Sequence, residues 1–318
     1  MSNFNTFPGA DAFRAFCIAQ GYREQINEGL WDWLTDNGYT QDTLSDKVGA
    51  AQLDGFDFSV LGASWSPADL FAASEVGVWY DPSDFSTMYQ DSAGTIPVTA
   101  VGQVVGRIND KSGNGFHATQ ATTGNKPYLR QDANGMYNLQ FDGLDDFMTT
   151  AAIDFSATDK MSVFAGVRKL SDATRGICVE NGVGGSIGSF NLECPGTSAT
   201  TVYGSLLSGS ALTSVQAATF AAPITNIVSV LSDLSKATRV QELLMRVNAA
   251  LPTLTYANAT NAGTGTFGNY PLYIGRRAGT SLPFNGHLYS LIVRGALSDA
   301  GQITAAESYV NSKTKAYA

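Results

Sequence analysis

"DKSGNGFHAT", residues 110–119, is the stretch on which the reading of the fold turns. An acid at 110 is followed by Ser112, Gly113, Asn114 and Gly115, the residue types that reverse a chain, and residues 116–119 resume the alternation of a strand. Asp110 is expected to end one strand, residues 112–115 to turn, and residues 116–119 to start the next edge. No acid or nucleophile stands at motif spacing from His117, so that histidine is read as a structural residue beside the turn.

Outward from this turn the chain keeps the same texture. Short alternating runs, "VGVWY" (76–80), "YNLQF" (137–141), "MSVFAGV" (161–167), "FNLEC" (190–194), "NIVSVLS" (226–232), "VQELLMRVN" (240–248), "PLYIG" (271–275) and "HLYSLIVRG" (287–295), are separated by Gly, Asn, Asp and Ser. Strands of this length without helices between them predict a mostly β, two-sheet antiparallel sandwich. The tail "LSDAGQITAAESYVNSKTKAYA" predicts a closing helix with Ser298 as N-cap and Asp299 in the first turn.

Composition agrees with that class. The 318 residues are 44% hydrophobic and only 15% charged, enough for a core and typical of turn-rich β proteins. The acidity is lopsided: residues 1–75 hold 11 acids and 3 bases, and the remainder 17 and 16. Residues 10–51 carry apolar side chains at helical spacing, with Trp31 and Trp33 read as docking or core residues, whereas 52–75 are aromatic and broken by Gly and Pro. The expected organisation is an acidic, helical N-terminal region, 1–75, followed by the sandwich, 76–318. Segments 194–232 and 247–275 contain no charged residue, a pattern of Ser/Thr-rich strands or of a surface covered by sister subunits.

Several function classes are disfavoured. A formal charge of −9 with no run of Lys or Arg argues against nucleic acid. Neither a secretory signal nor an apolar run of about 18 residues is seen, so membrane insertion is not expected. Zinc, ATP and dinucleotide motifs are missing. "GGSIG" (184–188) matches Gly-x-Ser-x-Gly and would make Ser186 a nucleophile with His287. The strand-like "SFNLEC" behind it instead favours a Gly-rich hairpin tip. Cys178 and Cys194, equidistant from Ser186, could face each other as thiols or as a disulfide.

A resemblance then appears. "VWYDPSDFSTMYQDSAGTIPVT" (78–99), "RINDKSGNGFHATQ" (107–120), "LQFDGLDDFMTT" (139–150), "LYIGRR" (272–277) and "FNGHLYSLIVRGALSDA" (284–300) occur in the order found in laminin-G-like, concanavalin-A-like jelly rolls of tailed-phage virion proteins. Residues 76–318 resemble that family. The resemblance implies a non-enzymatic fibre, spike or decoration protein on the virion surface. Residues 1–75 would join other virion proteins, and the jelly roll would bind a host surface polysaccharide. A homotrimer or a heteromeric spike is the implied assembly; a ligand-free decoration protein and a polysaccharide-degrading enzyme are the alternatives. The Glu-x-Asp-x-x-Glu pattern of concanavalin-A-like glucanases is absent.

Candidate binding residues follow from residue type. Tyr80, Tyr89, Tyr128, Tyr203 and Tyr270 are candidate sugar-stacking platforms, since a phenol ring offers a flat apolar face to a pyranose, whereas Trp79 is assigned to the core. Asp142, Asp145 and Asp146, with Asp81 and Asp84, offer hard oxygen ligands near strand ends. Calcium is therefore the cofactor candidate, as rim calcium is common in laminin-G-like domains, although the spacing is not that of an EF-hand.

Overall fold

A computed structural model describes residues 65–317 and two short strands, β1 (Gln52–Leu53) and β2 (Phe56–Asp57), which pair antiparallel. The helices expected over residues 10–51 lie outside the described residues. The chain divides into two compact units, Met1–Ser66 and Pro67–Ala318.

The second unit is built from β3 (Gly77–Tyr80), β4 (Met88–Tyr89), β5 (Arg107–Ile108), β6 (Ala118–Thr119), β7 (Tyr128–Gln131), β8 (Tyr137–Asp142), β9 (Met148–Asp154), β10 (Lys160–Lys169) and β11 (Ile177–Asn181). It continues with β12 (Phe190–Glu193), β13 (Tyr203–Ser208), β14 (Leu212–Ala218), β15 (Ile224–Asp233), a helical turn α1 (Arg239–Glu242), β16 (Leu243–Val247), β17 (Thr253–Asn258), β18 (Asn269–Ile274), β19 (Asn285–Arg294) and helix α2 (Ala300–Thr314). All eight sequence-predicted strands are present. "VQELLMRVN" is half helical turn and half strand, because Glu242 is buried and accepts the Ala262 amide at 2.6 Å.

Two antiparallel sheets face each other. The first runs β16-β15-β10-β19-β8-β7, with β3 also on β19; the second runs β17-β14-β13-β12-β11-β18-β9-β6-β5-β4. Strand β19 is shared end to end along one edge: Asn285 to Leu288 pair with β8, and Leu291 to Arg294 with β3. Alternation sends Leu139, Phe141, Val163, Val167, Leu288 and Val293 of the first sheet against Met148, Val179, Leu192, Leu207, Val215 and Leu272 of the second, in one continuous core.

The 110–119 stretch closes one end of this sandwich. Asp110 Oδ1 accepts the Trp79 and Ser112 amides, each at 2.9 Å, and Oδ2 accepts the Ser112 hydroxyl at 2.8 Å and the Phe116 amide at 3.1 Å. His117 Nδ1 accepts the Asp110 amide at 3.0 Å, Tyr80 donates its hydroxyl to the Phe116 carbonyl, and Asn114 reaches the Glu75 and Gly77 carbonyls. Gly113 and Gly115 take left-handed φ of 93° and 79°, which few other residues tolerate. The turn thus fixes β3, and His117 is part of its hydrogen bonding.

The sandwich unit begins earlier than the sequence suggests. Residues 67–75 belong to it rather than to the acidic region, because Leu70 and Phe71 are buried and Glu75 pairs with Arg294 at 2.5 Å. Helix α2 is capped by Asp299, not Ser298. The Asp299 side chain accepts the Gln302 amide and Gln302 answers to the Asp299 amide, while Ser298 is buried with its amide on Ser162 Oγ.

Helix α2 lies on the outer face of the first sheet, against β10, β15 and β19. A Cβ at Gly166 would stand 2.3 Å from a Thr314 methyl carbon and 3.0 Å from Val310, so glycine is what lets helix and sheet approach. Arg246–Glu307 at 2.8 Å and Lys313–Asp81 at 3.2 Å clip the helix down. A β-bulge between Gly166 and Val167, with Tyr289 as the unpaired residue on β19, separates the covered part of this face from the rest.

Asp110→Ala removes four accepted hydrogen bonds at a part-buried turn. It is expected to lower unfolding free energy by about 2–3 kcal/mol in urea titrations, against a change near zero for a surface control such as Ser86→Ala.

Candidate functional site

Beyond the bulge, the outer face of the first sheet carries one continuous row of side chains. Register places Thr225 (β15) beside Arg168 (β10), Arg168 beside His287 (β19), His287 beside Gln140 (β8) and Gln140 beside Tyr128 (β7). Their chain neighbours Val167, Leu139, Leu288 and Leu129 point into the core, so the two-residue period fixes the row on the outside.

The row has an aromatic end and a cationic lining. Tyr128 is 40% exposed, the Arg130 guanidinium lies 4.9 Å from its ring centroid, and Arg130 Nε donates to Gln140 Oε1 at 2.7 Å. Asp132 is held by its own turn, its Oδ1 accepting the Asn134 and Met136 amides, while Tyr289 donates its hydroxyl to Oδ2 at 3.0 Å. Three buried polar atoms on this face, Arg168 Nε, His287 Nδ1 and Asn138 Oδ1, have no hydrogen-bond partner within the protein. Burial, and then the Arg168 charge, push the His287 pKa down to about 4, with Asp132 opposing, so the imidazole is neutral at pH 7.

The acidic turn after β8 adjoins the row. Asp142 lies two residues along β8 from Gln140, hence on the same face and about 7 Å away. Asp142 Oδ1 accepts the Leu144 amide at 2.8 Å and the Asp145 amide at 3.3 Å, and Asp146 Oδ2 accepts the Asp142 amide at 3.1 Å. One oxygen from each of Asp142, Asp145 and Asp146 falls within 4.8 Å of the others. Burial first, then the Asp142 and Asp145 charges, raise the Asp146 pKa to about 7. Three carboxylates fit a hard divalent cation as a partial ligand set, which backbone carbonyls and water would have to complete.

The remaining sequence candidates divide. Tyr80, 1% exposed, and Tyr203, 0% exposed, are core residues and offer no ring face to a sugar; "VWY" and "VYG" put them on the inner side of their strands. Trp79 is buried, as expected, with Lys111 4.5 Å from its ring centroid. Tyr89 is half-buried on β4 opposite Arg107, at the far edge of the second sheet. Tyr270 donates its hydroxyl to the Ile187 carbonyl at 2.8 Å and packs on Gly182 and Gly268, holding the hairpin tip. Of the five tyrosines only Tyr128 belongs to the row.

Asp81 and Asp84 pair with lysines and lie outside the carboxylate cluster. Asp81 is buried against Lys313, Lys111, Ser83 and Tyr309, and Asp84 pairs with Lys111 at 2.7 Å. Ser186 sits in the 182–189 connection of the β11–β12 hairpin, on the other sheet from His287, and makes turn hydrogen bonds. Cys178 and Cys194 are buried free thiols, and burial first, then the neighbouring Cys178, drives the Cys194 pKa upward.

Two carboxylates that the sequence reading did not select lie on adjacent strands of the second sheet. Glu180 pairs with Arg277 at 2.8 Å, and Glu193 pairs with Arg175 and accepts from Asn191 at 2.9 Å. Each carboxylate is engaged by its own guanidinium.

No protein-family model matches the chain, and no curated protein matches it. Solved structures do. The botulinum neurotoxin serotype C1 binding domain aligns with a TM-score of 0.50 at 8% identity, over 77% of this chain and 53% of that one. The botulinum neurotoxin DC binding domain, in complexes with rat synaptotagmin II and with SialylT, aligns with TM-scores of 0.50 at 9% identity, over 77% of this chain and 52% of those. The chain spans about half the length of these domains, and the likeness is one of fold: a β-sandwich.

The chain's two histidines make the site's protonation directly observable. In a ¹⁵N NMR titration His287 is expected to titrate at about 4 and His117 below 6.5, with His287→Gln deleting the lower curve. Asp146 gives an opposite pH signature. Its raised pKa contributes stability that is complete below the unfolded aspartate value of about 4 and is lost as pH rises through about 7. In chelator, wild type is expected to lose roughly 1–2 kcal/mol relative to Asp146→Asn between pH 4 and 8 in urea unfolding. Calcium added at pH 8 is expected to narrow that gap.

Proposed function

We propose that the sandwich unit is a glycan-binding module and that the open row Thr225–Arg168–His287–Gln140–Tyr128 is its binding surface. The observation that carries this is the combination, on a sheet face that helix α2 leaves uncovered among the described residues, of an exposed tyrosine ring with a line of amide, imidazole and guanidinium groups. A sugar presents the matching chemistry: an apolar ring face to stack and hydroxyls to bond. Fold likeness to binding domains, one of them in a complex with SialylT, supports the same class, although the alignment covers only part of that domain and its ligand position is not carried over.

The finer reading is that of a phage particle component whose sandwich attaches to a host surface polysaccharide and whose acidic N-terminal region joins it to other virion proteins. It rests on the laminin-G-like resemblance. Electron microscopy of particles carrying a labelled chain tests that placement; a label absent from the particle overturns it.

Binding itself is tested with the full chain on an array of bacterial surface polysaccharides. Tyr128→Ala is expected to lower affinity at least tenfold, about 1.4 kcal/mol, with unchanged melting temperature because the ring is exposed. Glycan binding that survives Tyr128→Ala undiminished moves the site elsewhere, and no glycan binding at all leaves a ligand-free decoration protein.

A further inference from the structure

We infer that the saccharide taken by this face carries a carboxylate, as in a uronic or nonulosonic acid residue, and that Arg168 is the group that recognises it. This rests on the reading of the face as a saccharide site and goes on to name the ligand class.

Charge on the face runs against the charge of the chain. The whole molecule is −9, yet the row and its flank carry two guanidinium groups, Arg130 and Arg168, and neither is in an ion pair among the described residues. Of the acids near the row, Asp132 accepts two amides of its own turn and the Tyr289 hydroxyl, so its lone pairs are largely committed, and Asp142 accepts the Leu144 and Asp145 amides of its own turn. Four other arginines behave differently: Arg175, Arg246, Arg277 and Arg294 each face a glutamate. Arg107, Arg239 and Arg276 also lack an ion pair among the described residues, and Arg276 Nε is likewise unpartnered; what sets Arg168 apart is that its free Nε belongs to the row.

The chemistry of the unpartnered atom is specific. Arg168 Nε is buried with no acceptor in the protein, and burying a guanidinium N–H without an acceptor costs free energy that an incoming anion recovers. Nε together with an adjacent Nη forms the fork to which a carboxylate binds in a two-pronged, charge-assisted manner. His287, beside Arg168 in the register and neutral at pH 7, adds no third positive charge. Gln140 and Thr225, half-buried on the same row, are suited to sugar hydroxyls. Arg168 and Tyr128 stand three strand spacings apart, about 14 Å, farther than one sugar ring reaches. The ligand is therefore an oligosaccharide with its acid at the β10 end and a ring stacked at the β7 end. The acidic turn at Asp142 lies along β8, away from Arg168, and leaves the carboxylate end of the row free of opposing charge.

The test uses the full chain and calorimetric titration at near-physiological salt. Probes are oligosaccharides of hyaluronan, alginate and polysialic acid, the same oligosaccharides after carboxyl reduction, neutral dextran oligosaccharides and dextran sulfate. The expected result is binding of at least one acidic probe, a tenfold or greater loss on carboxyl reduction, and the same loss in Arg168→Gln. Arg168→Lys, which keeps the charge and lacks the fork, is expected to recover only part of it. Both variants are checked by melting temperature, and Arg168→Lys remains informative should Arg168→Gln fold poorly. Equal binding of native and carboxyl-reduced probes, with no effect of either Arg168 variant, overturns the carboxylate assignment and leaves the glycan reading standing. Dextran sulfate binding that matches the acidic sugars and vanishes with added salt also overturns it, as charge attraction without recognition. Failure of every acidic and neutral saccharide to bind removes the glycan reading and this inference together.

Discussion

The ladder between β10 and β19 is the constraint on which the rest of the unit depends. Eight residues of each strand pair antiparallel at the centre of the first sheet, and the register slips once, at Gly166/Val167. On one side of that bulge the outer face lies under α2, with Phe164 and Ile292 buried there and Ser229 bonded to Glu307; on the other it carries the polar row. The inner face continues across the slip without a break, Val163, Ala165 and Val167 on β10 all reaching the same core. One local irregularity thus lets a single pair of strands serve packing, helix docking and a candidate binding row.

Much of the fold was legible because alternation and turn chemistry are local. "DKSGNG" names its own turn: Asp110 supplies the acceptors, Ser112 a hydroxyl, and two glycines the left-handed backbone. Strands such as "HLYSLIVRG" identify themselves by apolar runs. Harder to see were β13, β14 and β17, where Gly, Ser, Thr and Ala replace many of the bulky β-formers; their pairing is set by neighbours rather than by intrinsic preference. The uncharged segment 194–232 contains β13 and most of β15, which are largely buried, and β14, which is buried on alternate residues.

The site was less legible than the fold, for a physical reason. Aromatic type does not distinguish inside from outside: Tyr80 and Tyr203 carry the same side chain as Tyr128 and are wholly buried. What separates them is parity relative to core neighbours. Tyr128 and Arg130 flank the buried Leu129, and Gln140 flanks Leu139 and Phe141. That signal was present in "YLRQ" and "NLQF", but joining Tyr128 to Gln140, His287 and Arg168 required cross-strand register, which links residues far apart in the chain. Likewise the acidic turn was found as a cluster from spacing alone, whereas the unequal ionisation of its members depends on the burial of Asp146.

The end-to-end sharing of β19 by β3 and β8 also has a mechanical meaning. Strand β3 is the first strand of the sandwich unit and pairs with β19 through Leu291 to Arg294, while the row meets the same strand at His287. Tension between a tethered N-terminus and a ligand held on the row would therefore run along one strand, from β3 through β19, without crossing the core. The Asp110 carboxylate bonded to the Trp79 amide, and the Glu75–Arg294 ion pair, sit where that load enters. The segment that reads as a fold marker in the sequence would, in these terms, brace β3 against such a pull.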